Sequence, residues 1–279
     1  IETLLGKLRV KQGRAADGAT ILERTLLRLE THVGQEHPDL LFALSSLASA
    51  YMAQDQFARA RGLLTRALSI AERVYGVDSV LAARMADELG GAEFRAGDVA
   101  SASARFAQSV EVLAARLGSK HPFLLLPLRN LAIAEARSGR PAEGRPLLAR
   151  AVAIAEMHIG DRNAQTALLR LALLQTLNQL GRLEEAEALV APVIDDIRVG
   201  LGADHPELAN AHSAAAAISI GLDKPDAALA HAREARKILE KRALGGVNRS
   251  LRVGFDDPSR AQSTWLMHLA LIAGRMSDD

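Results

Sequence analysis

The chain has 279 residues, 49% of them apolar but only 3% aromatic, with 34 Lys and Arg against 33 Asp and Glu, a net charge of +1 and no cysteine. An apolar interior with so few rings must be made of Ala and Leu, which favours closely packed helices over sheets. The balanced charge argues against a dedicated nucleic-acid binder. The absence of cysteine excludes a disulfide framework and a thiolate metal site, and no stretch reaches the roughly 18 charge-free apolar residues of a membrane-crossing helix. The first residue is Ile1 rather than Met, so a missing signal peptide carries no information and a cytoplasmic location is the expectation.

Residues 1–33 read as a repeat whose start is cut off, with Leu5-Gly6 in register with Leu47-Ala48 and Gly18 with Ala60. The next segment opens with Gly34-Gln-Glu-His37-Pro38. Pro38 suits the first turn of a helix, where its missing N–H is not needed, and Asp39 suits the positive end of the helix dipole. Leu40, Leu44, Leu47, Ala48 and Tyr51 then recur at helical spacing. Gln54-Asp55-Gln56 breaks the pattern. A second periodic stretch follows through Phe57, Ala60, Leu63, Leu64, Ala67, Leu68, Ala71 and Val74 and stops before Gly76, where a left-handed terminating residue is expected. Glycines at 34, 76, 118, 160 and 202 step by 42 residues, the mark of a repeat array. The Gly-x-x-His-Pro string returns at Gly118–Pro122 and Gly202–Pro206. It is replaced by Val-Asp-Ser after Gly76 and Asp-Arg-Asn after Gly160, and Arg170 stands where leucine is usual. Full repeats are therefore expected at 34–75, 76–117, 118–159, 160–201 and 202–243. Beyond them, residues 244–279 read as a glycine-rich loop, then a helix opened by Asp257-Pro258 and carrying Trp265, a cap or linker to a further domain.

Small residues mark where helices cross: Ala48, Ala60 and Ala67 match Ala132, Gly144 and Ala151, and again Ala216, Ala228 and Ala235. With Leu47-Ala48, Tyr51 and Phe57, this pattern resembles the tetratricopeptide repeat (TPR). The strings Leu44-Ser45-Ser46-Leu47-Ala48 and Leu128-Arg129-Asn130-Leu131-Ala132, and the 42-residue length, resemble the kinesin-light-chain type of that repeat. The resemblance implies an all-α, right-handed superhelical solenoid of antiparallel helix pairs, with first helices lining a concave face. The layout of array plus transitional tail is also similar to bacterial proteins in which such arrays precede a caspase-like CHAT protease domain.

Chemistry-bearing residues fall mostly into structural places. His37, His121 and His205 are expected at helix starts, too far apart to share a metal. His32 and His158 suit helix C-termini. Neighbouring acids at Asp87-Glu88, Glu184-Glu185 and Asp195-Asp196 do not face one another on a helix. No nucleophile–base pair, zinc motif or phosphate loop is present, so neither catalysis nor a metal or cofactor is expected of this segment. The expected partner-binding positions lie on the first helices: Phe42, Ser45, Ser49 and Met52; Arg84, Asp87, Phe94 and Arg95; Arg129, Ile133 and Arg137; Gln175, Asn178 and Gln179; Asn210 and Ser213. Four arginines against one acid favour an acidic or phosphate-bearing protein segment, held by bidentate guanidinium contacts, with Phe94 and Ile133 receiving an apolar anchor. The expected function is a protein- or peptide-binding scaffold. The alternatives are the sensor arm of a larger CHAT protease, or a peptide-sensing regulator, which would need a helix-turn-helix domain not seen in this sequence.

Overall fold

The computed structural model describes residues 1–244, with side chains to 241. The tail features, including Trp265 and the helix after Pro258, lie outside the described residues. Twelve α-helices and no strand occur among the described residues. They are α1 (Glu2–Lys11), α2 (Ala15–Val33), α3 (Leu41–Met52), α4 (Phe57–Tyr75), α5 (Val80–Arg95), α6 (Val99–Leu117), α7 (Leu125–Arg137), α8 (Pro141–His158), α9 (Ala164–Gln179), α10 (Leu183–Leu201), α11 (Pro206–Gly221) and α12 (Pro225–Leu244). They form two compact units, one holding α1–α7 and the other α8–α12.

The Gly-x-x-His-Pro string acts as helix-starting chemistry. The Nδ1 atoms of His37, His121 and His205 each accept the backbone N–H two residues on, at 3.2 Å, while the following proline fills the first turn. This needs the neutral imidazole with its proton on Nε2. Where the string is lost the cap is kept. Ser79 accepts from the Ala82 N–H at 3.1 Å and Asn163 from the Gln165 N–H at 2.8 Å, at the same register in their repeats.

Two interleaved sets of positive-φ residues punctuate the chain. At the ends of second helices stand Gly34, Gly76, Gly118 and Gly202, with φ of 86–99° and ψ near 150–160°. The sequence leads one to expect the left-handed helical conformation there. The chain adopts instead the extended positive-φ region, open essentially only to glycine. Within the pairs, Gly13, Asp55, Gly97, Gly181 and Asp223 also have positive φ. There the next residue's N–H reaches back five residues, as in Gln56 to Tyr51 O (2.9 Å), Asp98 to Glu93 O (2.9 Å) and Arg182 to Leu177 O (3.0 Å). That bond closes a helix C-terminus through a left-handed residue, and Asp55 and Asp223 show that aspartate is tolerated in it.

In the first unit Leu22, Leu44, Leu64, Leu89 and Phe106 are fully buried. Each contributes roughly 1.5–3 kcal/mol of hydrophobic stabilisation. Side-chain size is matched across the helix pairs. A Cβ on Gly90 would lie 2.8 Å from Phe106 Cε1, and one on Gly6 would lie 2.5 Å from Leu22 Cγ. Phe106 occupies the register held by Leu64 one repeat earlier, and Gly90 stands where that repeat has Ala48. At the edge of this core the buried Tyr51 donates to Glu23 and accepts from Arg59, whose guanidinium carbon lies 3.9 Å from the ring centroid. Burial first, then the Glu23 carboxylate, raises the phenol to about 12.

The second unit explains the unexpected Arg170. Its Nη1 lies 3.3 Å from Asp196 Oδ2 and its Nη2 lies 2.7 Å from Glu156 Oε1, and it also donates to Asp161 O at 2.9 Å. Asp196 is only 7% exposed. One repeat earlier the same two registers hold Leu128 and Ile154. Two apolar positions have changed together into an ion pair, with Val193, Ile194 and Ile197 packed in the adjoining core.

Candidate functional site

The first helices α3, α5 and α7, with Leu64 of α4 at the base, line a half-open pocket of about 160 Å³ formed by Ser45, Ala48, Ser49, Met52, Leu64, Asp87, Glu88, Gly91 and Asn130. Four expected groove residues, Ser45, Ser49, Met52 and Asp87, meet in it. Glu88 and Asn130 join them, and neither was in the expected set. Small side chains at Ala48 and Gly91 leave the space that larger residues would fill.

Two hydrogen bonds tie the pocket across repeats. Ser45 Oγ donates to Glu88 Oε2 at 2.5 Å, and Asn130 Nδ2 donates to Asp87 Oδ1 at 3.1 Å. Each links residues 43 apart in sequence. Adjacent acids on α5 therefore reach in opposite directions, one toward α3 and the other toward α7. Burial raises both carboxyl groups, Asp87 to about 7. For Asp87 the Asn130 hydrogen bond works against this and the neighbouring Glu88 charge adds to it. For Glu88 the opposing influences are the Ser45 hydrogen bond and the charges of Arg84 and Lys7. Near neutral pH Asp87 therefore sits between its proton-donating and proton-accepting forms.

Cations also lie over aromatic rings on and beside these helices. Lys7 Nζ lies 4.8 Å from the Phe42 ring centroid, and the guanidinium carbons of Arg84 and Arg137 lie 5.8 and 4.9 Å from those of Phe123 and Phe94. Ring contact uses the face of a guanidinium and leaves its N–H edge to bind carboxylate. The expectation that Phe94 presents an open apolar surface is wrong. Phe94 is 2% exposed and lies beneath Arg137. Arg95 turns to the preceding inter-helix turn, with Nη2 3.2 Å from Asp55 Oδ1 and the guanidinium 5.1 Å from the Phe57 ring centroid. Arg129 is half-buried, as is Ile133, whereas Arg84, Arg137, Phe42 and Ser49 are exposed.

In the second unit, Gln175 and Gln179 are exposed and Asn178 is half-buried. Asn210 Nδ2 donates to Glu207 Oε2 at 3.1 Å, and Ser213 Oγ donates to Ala209 O at 2.9 Å, so both are engaged on their own helix.

Repeated helix pairs, histidine or polar caps at the start of five of the six described pairs, and small residues at the crossings describe one family. A tetratricopeptide repeat model matches residues 39–115, 80–157 and 123–191, together more than half of the chain. The chain belongs to the tetratricopeptide repeat family. Among solved structures, this TPR chain is similar to a single-residue variant of a Podosopora anserina kinesin-light-chain protein with nearly identical TPR-like repeats. Identity is 25% over 71% of this chain and 93% of that one, with a TM-score of 0.62. It is also similar in fold to BtubC (BKLC) from P. vanneervenii, with 18% identity, 84% and 92% coverage and a TM-score of 0.69. No curated protein sequence matches. TPR arrays are scaffolds for protein interaction. No described helix is long and apolar enough to cross a membrane.

Proposed function

We propose that the first-helix face of α3, α5 and α7 binds a segment of a partner protein, with the pocket as its anchor point. The observation that carries this reading is the pocket itself, lined by three consecutive first helices and by polar groups able to donate or accept. Around it, the exposed Arg84 and Arg137 favour acidic side chains on the partner, while a short polar side chain reaches Ser49, Asp87 and Asn130. Arg129 and Arg95 are less suited to ligand contact, because the Nε of one is buried and the other is paired with Asp55. The segment acts as a binding scaffold with no catalytic step of its own.

Selection of a random peptide display library on the purified chain tests this. Peptides enriched in Asp and Glu are expected, and the paired change Arg84→Glu with Arg137→Glu should abolish their binding. Enrichment of basic or purely apolar peptides, or binding indifferent to that pair, would contradict the proposal.

A further inference from the structure

α11 and α12 bring His212 and His231 together, with their Nδ1 atoms 3.1 Å apart and ring centroids 5.4 Å apart. Neither residue is needed for the cap chemistry described above. In earlier repeats the register of His212 holds Leu44, Ala86, Leu128 and Arg170, and that of His231 holds Leu63, Arg105, Leu147 and Leu189. Two imidazoles have thus arrived together where other repeats mostly place apolar side chains.

Both rings are half-buried. Burial lowers each below the ordinary histidine range, and for His212 the His231 charge adds to the effect. Glu234 on α12 opposes this for His212 and Arg198 on α10 reinforces it. Both imidazoles are therefore neutral bases near neutral pH, the form in which histidine ligates a metal. The present contact needs one Nδ1 to carry a proton and the other to accept it.

We propose that His212 and His231 form a two-point site for a late first-row divalent ion, Cu(II), Ni(II) or Zn(II). An ion at about 2.0–2.1 Å from two nitrogens 3.1 Å apart subtends an angle of about 95–102°, between square-planar and tetrahedral values. Both ligands are fixed on helices that pack against each other, so little rearrangement beyond turning the two rings is required. The ring that now donates moves its proton from Nδ1 to Nε2. Each ligand then binds through Nδ1 and keeps its proton on Nε2, with no net proton release. Among the described residues no cluster of three or more His, Cys, Asp and Glu side chains could hold a metal, so the remaining positions are left to water or to a ligand from outside. Such a site exchanges its ion readily, unlike a closed structural zinc site.

The test is calorimetric titration of the untagged chain with CuCl₂, NiCl₂ and ZnCl₂ at pH 7.5 in a non-coordinating buffer. One site is expected, tightest for copper. His212→Ala and His231→Ala should each weaken it by at least about tenfold, the loss that even removal of an outer-sphere partner causes. His231→Gln repeats the test with a side chain of similar bulk, circular dichroism verifies folding, and His32→Gln serves as a control that leaves binding unchanged. Equal copper affinity in the wild type and in a folded His212→Ala, His231→Gln double variant would overturn the proposal and leave the pair a packing contact.

Discussion

Asp87→Asn changes the pocket by one group and nearly nothing in shape. The asparagine can still accept from Asn130 Nδ2, but it cannot ionise. Wild-type Asp87 titrates at about 7 against 3.8 for the free side chain, because folding buries it. The folded chain thus holds a proton that the unfolded chain has already released between those values. The Asp87 contribution to stability must fall as pH rises through that window and stay flat above it. A shift of about 3 units corresponds to ~4 kcal/mol, a ceiling because the side chain keeps some contact with water. Urea unfolding followed by helical circular dichroism gives the comparison. The variant and wild type should be similar near pH 4, the gap should widen by up to ~1.4 kcal/mol per pH unit, and the variant should be the more stable above pH 7. A gap that does not change with pH would refute the burial argument for Asp87. Because repeat arrays can unfold in parts, amide exchange in α5 should show the same pH dependence locally.

Other outcomes follow from the packing. Gly118→Ala forces a side chain into φ 94° and should destabilise by about 1–3 kcal/mol in thermal melts, whereas Gly62→Ala, in open space inside α4, should stabilise by about 0.4–1 kcal/mol. Gly90→Ala overpacks against Phe106 and should lose about 1–3 kcal/mol, most of it regained when Phe106→Leu is added. Arg170→Ala leaves the buried Asp196 only the exposed Arg162, 3.6 Å away, and should lose up to about 3–5 kcal/mol. Arg170→Leu with Asp196→Ile restores the apolar pair of the preceding repeat and should be neutral or stabilising by about 1–4 kcal/mol in the same melts.

What the sequence reveals and conceals divides along the range of the interactions. Helix starts at His37-Pro38 and breaks at Gln54–Gln56 are local events, so residue type and spacing suffice to place them. Ser79 and Asn163 are equally local and are ordinary helix-capping residues, but the loss of the His-Pro string around them hides the shared register. Pairings between helices are another matter. Arg170 looks like a defect until Asp196, 26 residues on, is placed beside it. Asp87 and Glu88 look inert as neighbours on one helix. Their reach toward α7 and α3 depends on the 43-residue offset between stacked helices, a geometric quantity that composition does not encode. Phe94 falls on the expected groove face by counting, but its ring turns inward and Arg137 closes over it. The His212–His231 contact is hidden for the same reason, since its members lie on different helices.

Hydroxyl-radical footprinting with a selected peptide bound tests the central claim most directly. Phe42, Met52 and Phe123 lie on or beside the first-helix face, and Phe42 is 48% exposed, as is Tyr75 at the end of the second helix α4. The account predicts that the peptide shields Phe42, Met52 and Phe123 and leaves Tyr75 as reactive as before. Shielding of Tyr75 with Phe42, Met52 and Phe123 unchanged would place the partner on the second helices and contradict it.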